Sequence, residues 1–416
     1  MQIQRISCII ISINVHSGGY YKMNKYLKKP LVFAIISTLV SLIIFLWFTF
    51  LAGMIGTFHW HTLVLSIYRG LLALLFVPAI FAVIYLIKPN KATKIISFIM
   101  SGIILFLWCA IFLGLSVMSS AKFDRSGLDI MKVDEPLPVN ATNPNPSSEK
   151  GLIAHYAVAS DPHWGSARSN VEARNSILTQ IDDLNYDGLF ILGDVSEVGI
   201  LAANYKEAIE DLSENLKHTK IRVLAGNHDA LVNGFPLFRS AFMDKKDKWY
   251  YRMDNGTVHI IFLNVLWDTA EFSKKEEKWL IEQLESIPQE DTVIVVSHCY
   301  ILGSGYWDEM AQRNWGDIPD VVDRLCPILE KYNVDLSLSG HNHFFEYLSK
   351  DSIDYAILGA MGGALDENLI YSSPYSKWIN NKDFGWLDLK IYNSYMDLTF
   401  LNQYGETIYK TSIRTR

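Results

Sequence analysis

Gly151–His163 reads Gly-Leu-Ile-Ala-His-Tyr-Ala-Val-Ala-Ser-Asp-Pro-His. An apolar run of strand length ends in small residues, and then in an acid and a histidine two positions apart. Near-continuous apolar character over 153–160 predicts a strand buried on both faces. The pattern 167–184 that follows has helical period. Strand patterns recur at 188–192, 221–225, 258–263, 292–296 and 334–338, with helical patterns at 205–217, 274–286 and 319–332 between them. Shorter alternating strands close the chain at 353–358, 386–391 and 396–401. Strands alternating with helices predict an α/β fold over 151–416, here with an antiparallel tail.

Chemistry-bearing residues fall where these strands end. The first ends in Asp161-Pro-His163, the second in Gly193-Asp194, the third in Gly226-Asn227-His228-Asp229. Two later strands end in Ser297-His298 and Gly340-His341-Asn342-His343. Ligands of open α/β sheets bind at the carboxyl ends of strands, so five strand ends would converge on one rim. Carboxylate, amide and imidazole donors in such a cluster suit two divalent metals such as Mn, Fe or Zn. Between them, a water is acidified to hydroxide and a phosphoryl group is clamped.

In this order the motifs DxH, GDxxE, GNHD, H and GHxH resemble those of the calcineurin-like metallophosphoesterases. The likeness spans Asp161 to His343. It implies a four-layer α/β/β/α sandwich and a bridging hydroxide that attacks phosphorus. It implies one metal on Asp161, His163 and His343, a second on Asn227, His298 and His341, and Asp194 between them. It assigns His228 to the leaving oxygen, Asp229 to orienting that ring, and Glu197 to a place behind the ligands. Purple acid phosphatases resemble the pattern but carry a metal-binding tyrosine where Glu197 stands and lack the histidine supplied by His163. The ligand set is therefore more similar to the cyclic-nucleotide-phosphodiesterase-like branch. Cys299 follows His298 where related proteins often have a second histidine. The loop holding Tyr306, Trp307 and Trp315, with Trp164, reads as a lip beside the metals. Cys299 and Cys326 are left open as a pair or two free thiols.

The amino-terminal third has another character. Apolar residues are 50% of the 416 and charged residues only 19%, against about 25% charged in ordinary soluble chains. Three stretches, 31–56, 63–87 and 95–118, hold one charge between them, Arg69. Each reaches the roughly 20 residues a bilayer-crossing helix needs, and Pro78 predicts a kink in the second. A basic leader, 1–30, precedes them, with Met23 as a second candidate start. Lysines flank the first stretch and fill the loop before the third, whereas 57–62 holds no Lys or Arg. The positive-inside rule then puts the N-terminus in the cytoplasm and the head outside it. Residues 119–150, rich in Pro, Asn and Ser, read as an exposed linker.

Net charge is +8 over residues 1–150 and -15 over 151–416. So acidic a head is a poor nucleic-acid binder, and no nucleic-acid partner is expected. Four cysteines exclude a disulfide scaffold. The expected protein is a membrane-anchored phosphoesterase in contact with the lipid bilayer, acting on a lipid-linked or envelope-derived phosphoester. Two alternatives stay open: a membrane sensor whose head binds metal without turnover, and a cytoplasm-facing cyclic-nucleotide phosphodiesterase.

Overall fold

The computed structural model describes residues 20–51, 69–138, 151–266, 272–308, 313–314, 316–317 and 319–415. Residues 1–19, the loop between the first two apolar stretches, 139–150 and Trp315 lie outside the described residues. The chain divides into two compact units, one holding the apolar helices and one running from Leu115 to Arg416.

In the first unit, α1 (Tyr20–Leu46) continues into a π-helical turn, Trp47–Leu51. Residues 69–74 are helical and lead into α2 (Val77–Ile87), and α3 spans Lys91–Met118. Three stretches, Lys29–Thr49, Arg69–Ile87 and Lys91–Met118, are long and apolar enough to cross a membrane. The expected break at Pro78 is present. Leu75 and Phe76 close tight turns onto Leu72 and Ala73 before α2 begins, because proline lacks the N–H a continuous helix would use. The unit has an apolar core of Ile44, Phe45, Leu75, Ile104 and Trp108, but its outer surface is apolar as well. Ser37, Ser41, Ser97 and Ser101 are fully buried, while Ile87 and Phe106 are each 71% exposed. Ser37 Oγ donates to the Ser101 carbonyl at 2.7 Å, joining α1 to α3.

In the second unit, residues 119–138 depart from the exposed linker expected there. Met131 and Leu137 are buried, Met131 N donates to the Ile221 carbonyl, and the Asp129 carbonyl accepts from Ile221 N. Apolar side chains among the prolines supply that anchor.

The head holds two sheets. One runs β15 (Thr407–Arg414), β14 (Tyr395–Asn402), β13 (Gly385–Tyr392), β1 (Leu152–Ala159), β2 (Gly188–Ile191), β3 (Ile221–Val223). The other runs β12 (Ser376–Asn380), β10 (Phe345–Lys350), β11 (Ile353–Leu358), β9 (Leu336–Ser339), β6 (Thr292–Val296), β5 (Val258–Phe262), β4 (Tyr251–Asn255). β1, β2 and β3 are mutually parallel, as are β5, β6, β9 and β11.

Alternation along single strands builds the layers. Tyr156 and Val158 of β1 meet Ile294 and Val296 of β6 in the core between the sheets. Ala157 and Ala159 face the other way, onto α4 (Val171–Asp183) and α5 (Ala202–Asn215). Val293 and Val295 face α8 (Lys274–Glu285) and α9 (Pro319–Lys331). The result is the expected α/β/β/α order, with the short α6 (Asn227–Ala230) and α7 (Phe235–Phe242) beyond β3. A two-strand ribbon, β7 (Trp307–Asp308) with β8 (Arg313–Asn314), stands outside both sheets.

Candidate metal centre

All five strand-end motifs arrive at one rim. The chain leaves β1, β2 and β9 by sharp turns that put Asp161, His163, Asp194 and His341 at φ values of 54°, 47°, 51° and 71°. Non-glycine residues rarely adopt this region, and surrounding structure must hold them there. Two glycines make room for the turns. Gly193 has φ 108°. A Cβ on Gly226 would lie 2.1 Å from Asp194 Oδ1.

Two groups of donor atoms result. His163 Nε2 lies 3.1 Å from His343 Nε2 and 3.9 Å from Asp161 Oδ1, and His343 Nε2 is 3.4 Å from that oxygen. Beside them, Asn227 Oδ1 is 2.9 Å from both His298 Nε2 and His341 Nδ1. The Asp194 carboxylate stands between: Oδ2 is 3.5 Å from His163 Nε2, Oδ1 3.3 Å from His298 Nε2. Metal–donor bonds of about 2.0–2.2 Å set neighbouring donors roughly 3 Å apart, which is the spacing here.

Proton placement tests the fit more sharply. His163 Nδ1 is 2.8 Å from Glu197 Oε2, His343 Nδ1 is 2.6 Å from the Ala364 carbonyl, and His298 Nδ1 is 2.8 Å from the Leu192 carbonyl. All three partners accept, so each Nδ1 carries a proton. The Nε2 atoms then turn lone pairs toward one another and toward oxygens. Asp161 Oδ1 is buried without a hydrogen bond. Lone pairs converging in a dry site demand a cation. The free protein answers with protons. Burial opposes charge on His163, yet Asp161 and Glu197 lift its imidazole to about 10. Burial likewise opposes charge on His298, and Asp194 raises it to about 9. Burial pushes the Asp194 carboxyl up, but His298 and His228 outweigh it and hold that group well below its usual range. A divalent metal replaces such protons.

The remaining expectations divide. His228 Nδ1 is 2.7 Å from the Glu197 carbonyl and Nε2 is 4.0 Å from Asp194 Oδ2, so the ring stands at the edge of the cluster, packed across His163. Burial keeps its imidazole below the ordinary range. Asp229 does not hold that ring. Its oxygens accept from the N–H groups of Val195, Ser196 and Gly226 and from the Tyr205 hydroxyl. It thereby fixes the two loops that carry Asp194 and Asn227. Burial and the Asp194 charge push the Asp229 carboxyl up to about 7.

Trp164 is no lip residue. It is fully buried, its Nε1 donates to Asp211, and the Arg174 guanidinium covers its ring at 4.7 Å. Tyr306 and Trp307 do reach a surface cleft, described below. Cys299 and Cys326 are both buried and form no disulfide with each other. His155 and His259 stand apart, paired with Asp388 and with Asp254 and Asp291. Sequence reading missed the loop after β11. Gly363 N donates to the Asp161 carbonyl, Ala364 O receives His343 Nδ1, and Asp366 Oδ2 receives His343 N. The signal was the Gly359-Ala-Met-Gly-Gly363 run directly behind a strand.

Residues 154–345 match the calcineurin-like phosphoesterase family. The head is a calcineurin-like phosphoesterase domain. Similar curated proteins are tartrate-resistant acid phosphatase type 5 of Mus musculus and of Homo sapiens. The mouse protein is 23% identical over 320 residues, covering 68% of this chain and 94% of that protein. The human one is 22% identical over 319 residues, covering 67% and 95%. Among solved structures, purple acid phosphatase PPD1 of yellow lupin (Lupinus luteus) superposes with a TM-score of 0.55 at 15% identity. That match covers 63% of this chain and 53% of the lupin protein, about half its length. The domain and its acid phosphatase relatives make the protein a phosphoester hydrolase. These neighbours are acid phosphatases, not the phosphodiesterase-like branch that the ligand motifs suggested. Divalent metals are implied by the family, and the two donor groups fit them.

Proposed function

We propose that the protein is a membrane-anchored phosphomonoesterase whose head lies outside the cytoplasm. The observation that carries the hydrolytic reading is the set of proton-locked histidines whose lone pairs converge around Asp161 and Asp194. Asp161, His163 and His343 would hold one metal; Asn227, His298 and His341 the other; Asp194 would touch both. Bound there, the metals supply a hydroxide nucleophile and neutralise phosphoryl oxygens. The chain's own residues do the rest. Glu197 keeps His163 in the ligating tautomer. Asp229 fixes the loops. His228, with Nδ1 committed to Glu197 O, has Nε2 at the edge of the cluster, where it assists departure of the alcohol oxygen. Overall, water adds to phosphorus, the P–O bond to the alcohol breaks, and the alcohol leaves with a proton.

The apolar helices, with the lysine asymmetry, favour a cytoplasmic N-terminus and a tethered outer head. Full-length protein in detergent, loaded with Mn, is expected to hydrolyse p-nitrophenyl phosphate faster than bis-p-nitrophenyl phosphate. Preference for the diester would overturn the monoester assignment. A cytoplasm-dependent reporter fused after Arg416 is expected to be silent, and an active one would reverse the orientation.

A further inference from the structure

A cleft of about 1070 Å³ opens beside the first donor group, and two of its three walls are built from that group's own supports. Ser169, on one wall, donates its hydroxyl to the carbonyl of His163 at 2.7 Å. Ala364 and Asp366, on another, hold the ring and backbone of His343. The third wall carries Tyr306 and Trp307. The loop behind that wall is fixed. Glu346, fully buried, receives both the N–H and the hydroxyl of Ser304, at 2.7 and 2.6 Å. Asp317 receives Gly303 N, and Asn342, between ligands His341 and His343, donates to Ser304 O. The wall is therefore braced against the metal-ligand loop itself.

The lining has a definite chemistry. Trp307, Ile370 and Val171 come from three separate segments of the chain and turn 41%, 61% and 46% of their surface outward around the cleft. Large apolar side chains converging beside polar catalytic groups are the usual make-up of a ligand pocket. The charges are Arg168 against Glu172, Asp366 and Glu367. That excess of carboxylates repels a second phosphate.

Resting on the phosphomonoesterase reading, we propose that this cleft receives the alcohol half of the substrate, and that this alcohol is apolar and carries no further phosphate. Trp307 is its principal contact. The shared chemistry fits a flat aromatic alcohol or the alkyl chain of a lipid.

The test uses full-length, Mn-loaded protein in detergent and three monoesters whose alcohols have similar acidity: ethyl, 2-phenylethyl and octyl phosphate. A fourth, propane-1,3-diyl bisphosphate, carries the extra phosphate. The kcat/KM for the better of the two apolar esters is expected to exceed that for ethyl phosphate about tenfold, the discrimination a hydrophobic pocket provides. The bisphosphate is expected to fall below ethyl phosphate. In Trp307→Ala the apolar-to-ethyl ratio is expected to drop toward one. A phenylethyl advantage assigns an aromatic alcohol; an octyl advantage assigns a lipid chain. A ratio near one in the wild type, or one unmoved by Trp307→Ala, overturns the proposal while leaving the phosphomonoesterase reading intact. Failure to hydrolyse any of the four overturns both.

Discussion

The two units of this chain differ most in what they leave exposed. In the head, Tyr156, Val158, Ile294 and Leu387 are sealed between sheets and polar groups look outward. In the helical unit, Ile44, Phe45, Leu75, Ile104 and Trp108 are sealed together with four serines, while Phe106, Ile87 and Ile43 look outward. A packed interior in water is driven by apolar burial. Between helices in lipid that drive is absent, and small residues that allow close approach take the inner positions. The difference teaches that the outer surface, more than the core, sets the helical unit apart from the head.

Charges placed at matched positions would break or sharpen that contrast. The largest effect is expected from Ile294→Asp between the sheets. An unpaired buried carboxylate there costs more than about 4 kcal/mol, and soluble aggregation or loss of the thermal transition should report it. Phe106→Asp lies on a surface that a water-soluble helix would leave indifferent. In a bilayer it is expected to cost about 3 kcal/mol at mid-helix, read as loss of the protein from the carbonate-resistant membrane fraction. Full retention would place that face in water. Glu197→Gln is expected to weaken metal binding about 10–100-fold, measured by titration with a chelator, with the melting temperature little changed.

The smallest effect concerns Glu276, in the first turn of α8. Its Oε1 accepts from Asn264 N, and burial pushes its carboxyl up to about 7. Between the usual carboxyl range near 4.5 and 7, the folded chain holds a proton that the unfolded chain releases. Stability therefore falls as pH rises through that window and levels above it. Glu276→Gln keeps the acceptor and removes the charge. It is expected to match wild type near pH 4.5 and to exceed it by about 3 kcal/mol at pH 8. Thermal melts at both values, showing equal shifts, would refute the assignment.

Much of the site was legible because each ligand sits within four residues of the strand that delivers it. Asp161, Asp194, Asn227, His298 and His341 needed only the apolar run before them. What was not legible depends on distant chain. Trp164 looks exposed beside its motif, but α4 and α5 bring Arg174 and Asp211 to cover it. Asp229 follows His228, yet one step along the helical turn aims it elsewhere, at the Val195 and Gly226 backbone. β4, β10 and β12 escaped notice because short strands are defined by their neighbours. β15, Thr407–Arg414, lies at the sheet edge, where only alternate residues meet a core. The glycine run 359–363 reads as a turn, and only the closed fold shows it bracing His343.

The most direct test of the central claim is the metal content of full-length protein after dialysis, measured by elemental mass spectrometry alongside p-nitrophenyl phosphate turnover, for wild type and Asp194→Asn. The account predicts two divalent metals per chain and turnover in the wild type. It predicts fewer than two metals, and turnover lowered at least a thousandfold (on the order of 4 kcal/mol of barrier), in the variant. An Asp194→Asn protein that hydrolyses at the wild-type rate would contradict it.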